Sequence, residues 1–159
     1  MSRDIATDDN RLKSHLNRLA KEWSKGKISL KQIVGLTEQE LYAIACQGYT
    51  FFLQGKNQQA LVIFEGLIAV DPRNAYAYQA LGSIYWRNSE PHKAIKQFTY
   101  AIRVNPSAIS TYISRAEIYV SLNQFMKARQ DLMHVLQHAT TPDHQVLINK
   151  AKAILTMIK

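Results

Sequence analysis

A period of 34 residues constrains this chain more than any other feature of it. Displaced by 34, Gly48 falls on Gly82 and Ala116, and Phe51 falls on Tyr85 and Tyr119. The same displacement aligns Ile44 with Tyr78 and Tyr112, Ala60 with Ala94 and Ala128, and Phe64 with Phe98 and Leu132. Asp71-Pro72 falls on Asn105-Pro106. Small, aromatic, small and aromatic positions recur in one order three times. A unit this short cannot bury its apolar face alone, so neighbouring copies must stack on one another.

The columns have a helical logic. Positions 44, 48 and 51 are i, i+4 and i+7 and share one stripe. A small residue at 48, 82 and 116 lets a second helix come close, and the aromatic at 51, 85 and 119 fills the space beside it. Ala60, Ala94 and Ala128 do the same from the second helix, with Phe64, Phe98 and Leu132 one turn on. Proline after Asp71 or Asn105 ends the second helix, because the residue before proline is pushed out of the α region. These columns are assigned to the core. Helix pairs are predicted at 38–54 and 57–70, 74–87 and 91–104, and 108–121 and 125–138. Thr37 and Glu40 form a capping box. Gly55 suits a left-handed turn, and Pro91 suits a first helical turn. The third copy departs most, with Thr140 at the proline position and Pro142 two residues later.

Period and columns resemble the tetratricopeptide repeat, a helix–turn–helix unit. The resemblance implies an all-α fold: three helix pairs in a right-handed solenoid with flanking N- and C-terminal helices. The expected division is an N-terminal helix and lead-in over 1–36, three repeats over 37–141 and a capping helix over 142–159. In the last segment Leu147, Ala151, Ile154 and Ile158 form one stripe. In the first, Leu12, Leu16, Leu19 and Trp23 do so, between Asp8-Asp9 and Gly26. The stretch GKISLKQIVGL separates that first helix from the repeats and leaves it free to dock on another chain.

Composition removes several function classes. No apolar run reaches the ~20 residues that cross a bilayer, and the N-terminus lacks the apolar core of a secretory signal. Cys46 is the only cysteine, which is read as a half-buried thiol in a protein of a reducing cytoplasm. The net charge is +8, but its distribution is uneven. Residues 1–36 carry +4, 37–90 carry −2 and 91–159 carry +6. The middle of the chain is thus a poor surface for phosphate, and no nucleic-acid partner is expected.

The first helix of each pair has a second face. Tyr42, Ala45, Tyr49 and Phe52 run i, i+3, i+7 and i+10, roughly opposite the core stripe. Tyr76, Gln79, Ser83 and Trp86 match them in the second repeat, and Ser110, Ile113, Glu117 and Val120 in the third. In stacked helix pairs the first helices line the concave side. Rings there suit an extended peptide with apolar anchors, because rigid aromatics give large contact area at low entropy cost. The alternative is that individual rings pack between repeats or against the N-terminal helix. Ala45, Tyr49 and Ser83 stand where a clamp for a terminal carboxylate would need cations or amides, so an acidic C-terminal tail is not expected in the groove.

Other chemistry is weak. His134 and His138 are i, i+4 with His144 nearby, but no carboxylate or cysteine completes a metal site. Cys46 has no histidine placed to activate it. There is no phosphate loop and no nucleophile elbow. Lys93, Lys96, Lys127 and Arg129 are read as a solvated face. No enzyme, cofactor or metal is expected.

Residues 29–82 resemble a more specific family, the class II chaperones of bacterial type III secretion. The motifs are a lead-in of Leu30, Lys31, Ile33 and Gly35, then LYAIA (41–45), YTFFLQGK (49–56), Ala60 with Phe64 and Leu67, and an Asp-Pro turn. KARQ at 127–130 and KAKAIL at 150–155 extend it. The resemblance implies a cytoplasmic chaperone for translocator proteins that forms a homodimer through its N-terminal segment. Leu12, Leu16, Leu19 and Trp23 would make that contact. It also implies that the concave groove holds a short extended segment of the pore-forming substrate, at Tyr42, Tyr49, Phe52, Tyr76 and Trp86. Insertion of the protein itself into a membrane is not expected. A general repeat adaptor in another bacterial assembly is the alternative.

Overall fold

The computed structural model describes residues 14–158, apart from 16, 23, 26, 28 and 29. From residue 30 onward the helices are α1 (Leu30–Val34), α2 (Glu38–Leu53), α3 (Asn57–Val70), α4 (Ala75–Arg87), α5 (Pro91–Val104), α6 (Ile109–Ser121), α7 (Phe125–His138) and α8 (Gln145–Met157). A 3-10 turn, Pro142–His144, precedes α8. Helices α2 and α3, α4 and α5, and α6 and α7 are the three predicted pairs, with ends within two residues of expectation. Of the N-terminal stripe, Leu12, Leu16 and Trp23 lie outside the described residues. Leu19 is helical and half-buried.

Local chemistry sets the ends. The Thr37 hydroxyl accepts from the Glu40 N–H at 3.2 Å, and the Glu40 carboxylate accepts from the Thr37 N–H at 2.8 Å. This capping box satisfies two donors that the first turn would otherwise leave unpaired. It also holds the Glu40 carboxyl below its ordinary pKa, chiefly through the Thr37 backbone bond. Second helices end alike: the N–H groups of Asp71, Asn105 and Ala139 bond the carbonyls of Leu67, Ala101 and Val135.

The turn inside each pair contains one left-handed residue. Gly55, Ser89 and Asn123 have φ of 73°, 61° and 56° and stand 34 residues apart. Only the first is glycine. A side chain in this region crowds the following carbonyl at a cost of about 1 kcal/mol, less for asparagine. Ser89→Gly is therefore expected to raise the urea midpoint, adding about 0.5–1 kcal/mol at an unchanged slope, with Asn123→Gly adding less. A lower midpoint would mean that the Ser89 side chain contributes something beyond this turn.

The core runs as a spine through the stack. Leu41, Ala60, Phe64, Leu67, Ala77 and Ile84 are buried together across the first two repeats. Ala94, Phe98 and Ile118 link the second to the third. Tyr112, Ala116, Leu132 and Val135 then pack with Ala151 and Ile158 of the last helix. Arg129 fastens that helix by donating to the Ile158 carbonyl at 3.0 Å, and Lys150 pairs with Glu117 at 2.8 Å. Arg129 is thus a structural donor as well as a surface cation.

Two core columns differ from expectation. Ile44 remains 38% exposed, whereas its counterparts Tyr78 and Tyr112 lie against Tyr100 and His134 of their own pair; the matching position of the first pair is Gly66, which offers no side chain. Phe51, Tyr85 and Tyr119 are half-buried at the turn end of each pair. Each lies under a lysine: Lys56 at 5.7 Å, Lys93 at 5.3 Å and Lys127 at 5.6 Å from the ring centroids. These rings are capped by cations in addition to being packed.

Candidate functional site

Helices α2 and α4 place their second faces along a common surface beside Ser110, Thr111 and Ser114 of α6, and two hollows open there. Of the face expected in the third repeat only Ser110 takes part, because Ile113 is buried in the core and Glu117 pairs with Lys150. The first, of about 620 Å³, is lined by Leu41, Tyr42, Ala45, Cys46, Tyr49 and Tyr76, with Glu38, Thr50 and Asn74 at its edge. The second, of about 200 Å³, is walled by the rings of Tyr49, Phe52, Phe64, Tyr76 and Phe98, with Ala80, Gln79, Ser83 and the α6 hydroxyls among them. Tyr49 and Tyr76 border both, so the hollows form one groove.

The rings stand in the groove rather than inside the protein. Tyr42, Tyr49 and Tyr76 are 73%, 46% and 47% exposed. Tyr49 tilts against Phe52 at 6.3 Å, and Tyr76 meets the buried Phe64 edge-on at 6.0 Å. Phe52 is held from behind by Arg87, whose guanidinium lies 3.5 Å from the ring and donates to the Phe52 carbonyl. That arginine is committed to the helix end and lines neither hollow.

Of the seven sequence-predicted positions, Tyr42, Ala45, Tyr49, Phe52, Tyr76 and Gln79 line the groove. Ala45 is itself buried and forms part of its floor. Trp86 is exposed but lies outside both hollows. Cys46, expected half-buried, is exposed on the groove. Ser110, Thr111 and Ser114 also line it; their hydroxyls gave no aromatic or charge signal, and the 34-residue match of Ser110 to Tyr76 was the only sequence pointer. Gln79 donates to the buried Thr111 hydroxyl, joining the second repeat to the third across the groove floor.

The groove is uncharged over most of its length. The Tyr42 phenol is held above its ordinary pKa by hydrogen bonding with the Cys46 thiol. Burial, then the neighbouring Tyr49, raises that of Tyr76. The phenols are therefore neutral at physiological pH. Glu38, the one charged lining residue, is paired with Lys31. No group of three or more metal-type ligands occurs among the described residues, and no described helix is long and apolar enough to cross a membrane.

Away from the groove, His134 stacks between Tyr112 and His138, 4.0 Å from each ring. Burial, then the adjacent His138, lowers its pKa below 6.5, while Asp131 opposes and Arg115 adds to the shift. A histidine depressed in the folded state stabilises above its unfolded pKa, and that stabilisation is lost as pH falls from there through the folded pKa. Stability should therefore decline below about pH 6.5. His134→Phe should retain the stack and flatten that part of a pH series of thermal melts. An unchanged slope would assign it to other groups.

Residues 75–107 match the family described as tetratricopeptide repeat. The fold is a tetratricopeptide-repeat solenoid. In sequence, DnaJ homolog subfamily C member 7 of Mus musculus is 27% identical over 116 residues, covering 70% of this chain and 24% of its own. The chain thus spans about a quarter of that curated relative. The Yersinia enterocolitica type III secretion translocator chaperone SycD superposes with a TM-score of 0.76 at 15% identity, over 82% of this chain and 98% of that one. PcrH in complex with the chaperone binding region of PopD gives 0.73 at 22% identity, over 78% and 94%. At these identities the likeness is one of fold.

Proposed function

We propose that this protein is a non-enzymatic chaperone of translocator-type secreted proteins. It holds an extended segment of the client along the groove and keeps the client soluble until export. One observation carries the reading: Tyr42, Tyr49 and Tyr76 stand exposed around a hollow that no part of the described chain fills. Exposed rings grouped in a concavity are typical of an interaction site. The fold neighbours support the class of client, since PcrH was solved with the chaperone binding region of PopD. Capture needs no nucleotide; desolvation of client anchors against the rings supplies the affinity. A homodimer in a bacterial cytoplasm belongs to the same reading, with contact at Leu12, Leu16, Leu19 and Trp23.

Co-expression with a secreted pore-forming protein is expected to bring that client into the soluble fraction. Tyr42→Ala with Tyr49→Ala should weaken binding by about 30-fold or more while leaving the melting temperature nearly unchanged, because both side chains are exposed. Undiminished binding by this variant would remove the groove from the mechanism. A second reading, a repeat adaptor in another assembly, is favoured by the sequence likeness to the DnaJ homolog. It uses the same groove with a different client, and failure to solubilise any pore-forming client would select it.

A further inference from the structure

The turns inside the three helix pairs share one edge of the solenoid. Leu53 ends α2, Trp86 lies in the last turn of α4, and Phe125 and Met126 open α7; all four side chains are exposed. None of them lines either hollow. The turns are held side by side: Arg87 donates to the Phe52 carbonyl, the Asn57 amide donates to Asn88, and Leu122 packs with Ala94 and Phe98. With their flanking helix ends, the turns span residues 51–59, 85–93 and 119–127. They hold Lys56, Arg87, Lys93 and Lys127 against Glu90, a net of +3. The opposite edge, where one pair joins the next, holds Glu38, Glu40, Asp71 and Asp143 against Lys31, Arg73 and Arg103, a net of −1. Lys56, Lys93 and Lys127 stand over the rings of their own turns, so cations and apolar tips are interleaved along one edge.

From this arrangement we infer that the turn edge docks the protein on the surface of an anionic lipid bilayer. Separate apolar tips outside any hollow suit a soft surface, into which each can sink between headgroups. They suit a protein partner less, because a protein's anchors need pockets. Tryptophan favours the headgroup level, where its ring meets apolar chains and its N–H stays wet. The cations beside the tips meet the anionic headgroups, each one near the surface adding about fivefold to affinity. The less basic opposite edge orients the molecule with its turns towards the lipid. The contact is peripheral, since no described helix is long and apolar enough to cross a membrane. Tyr42 and Tyr76 of the first hollow sit near the other ends of α2 and α4, so docking leaves that hollow open. The inference stands independently of what the groove holds.

Co-sedimentation of the full chain with sucrose-loaded vesicles tests this. At about 50 mM salt, vesicles with about one-third phosphatidylglycerol should bind about tenfold tighter than vesicles of phosphatidylcholine alone, and about 300 mM salt should remove most of that difference. Lys127→Gln should weaken binding about fivefold. Arg73→Gln removes the same charge from the opposite edge and should leave affinity within about twofold. In the Trp23→Phe protein, Trp86 is the single tryptophan. Its emission should be quenched by lipid brominated in the upper part of the acyl chain, which attraction at another face would not produce. No sedimentation with the anionic vesicles overturns the inference and points to an acidic protein at this edge instead. Equal losses in Lys127→Gln and Arg73→Gln, with Trp86 unquenched, also overturn it and assign the attraction to the net charge of +8 as a whole.

Discussion

Replacing Asp131 by alanine is expected to lower the unfolding free energy by about 3–5 kcal/mol, the typical cost of removing one partner from a buried ion pair. Asp131 lies on α7 and receives two bonds from the Arg115 guanidinium on α6, at 2.8 and 2.7 Å. A third guanidinium N–H reaches the Thr99 hydroxyl of α5 at 2.9 Å. The side chains are only 15% and 8% exposed, so the pair ties three consecutive helices where water scarcely enters. Without the carboxylate, the arginine stays buried and unpaired. Arg115→Met with Asp131→Leu removes both charges together and is expected to recover most of the loss, since fitted apolar replacements of a buried pair are often neutral. Urea unfolding of the three proteins measures this. A single-variant loss below about 1 kcal/mol would place the pair among solvated surface bridges.

The second large effect lies at the close approach inside a repeat. A Cβ added to Gly82 would stand 2.8 Å from Phe98 Cε1 and 2.9 Å from Cδ1 and Cζ. An aromatic ring held in the core cannot swing aside as the tip of a flexible chain would. Gly82→Ala is therefore expected to cost about 1–3 kcal/mol by overpacking. The third repeat presents the compensated form, Ala116 beside Leu132, both buried. Phe98→Leu alone should leave a void and destabilise by about 1 kcal/mol or more. In the double variant the two faults should offset, giving a favourable coupling of about 0.5–3 kcal/mol in a double-mutant cycle. Strict additivity would show that the column does not pack through this contact.

That column explains why so much of the fold was legible. Gly48, Gly82 and Ala116 facing Phe64, Phe98 and Leu132 are complementary in volume, and the complementarity recurs at a visible period. The capping box at Thr37 and the proline-flanked ends were legible too, because each depends on neighbours in sequence. Other features depend on position in the stack. Ile44 has the residue type of a core column, yet Gly66 stands where Tyr100 and His134 cover its counterparts in the other pairs. The left-handed turn residues Ser89 and Asn123 carry no glycine; only their distance from Gly55 marks them. Arg115 and Asp131 are 16 residues apart on different helices, and no local pattern joins them.

The same distinction applies to the groove. Helical spacing identified the face carrying Tyr42, Tyr49 and Tyr76, since a face follows from i, i+3 and i+7. It did not show where the concavity ends, and so Trp86 was grouped with residues whose hollow it does not line. Nor did it mark Thr111 and Ser114, which line the second hollow beside the expected Ser83 and Ser110 and look like ordinary surface residues until two helices are brought side by side. A small thiol suits a half-buried place, but Cys46 is exposed on the groove with Tyr42.

The central claim is that a client lies in this groove and not on the outer surface. Site-specific photo-crosslinking reads this directly. A benzophenone side chain is placed in turn at Tyr42, 73% exposed on the groove, and at Val62, 62% exposed on α3 and outside both hollows. Each protein is irradiated in the complex formed with a co-expressed pore-forming client. Client adducts are expected at position 42 and none at 62; adducts at 62 with none at 42 would contradict a client in the groove.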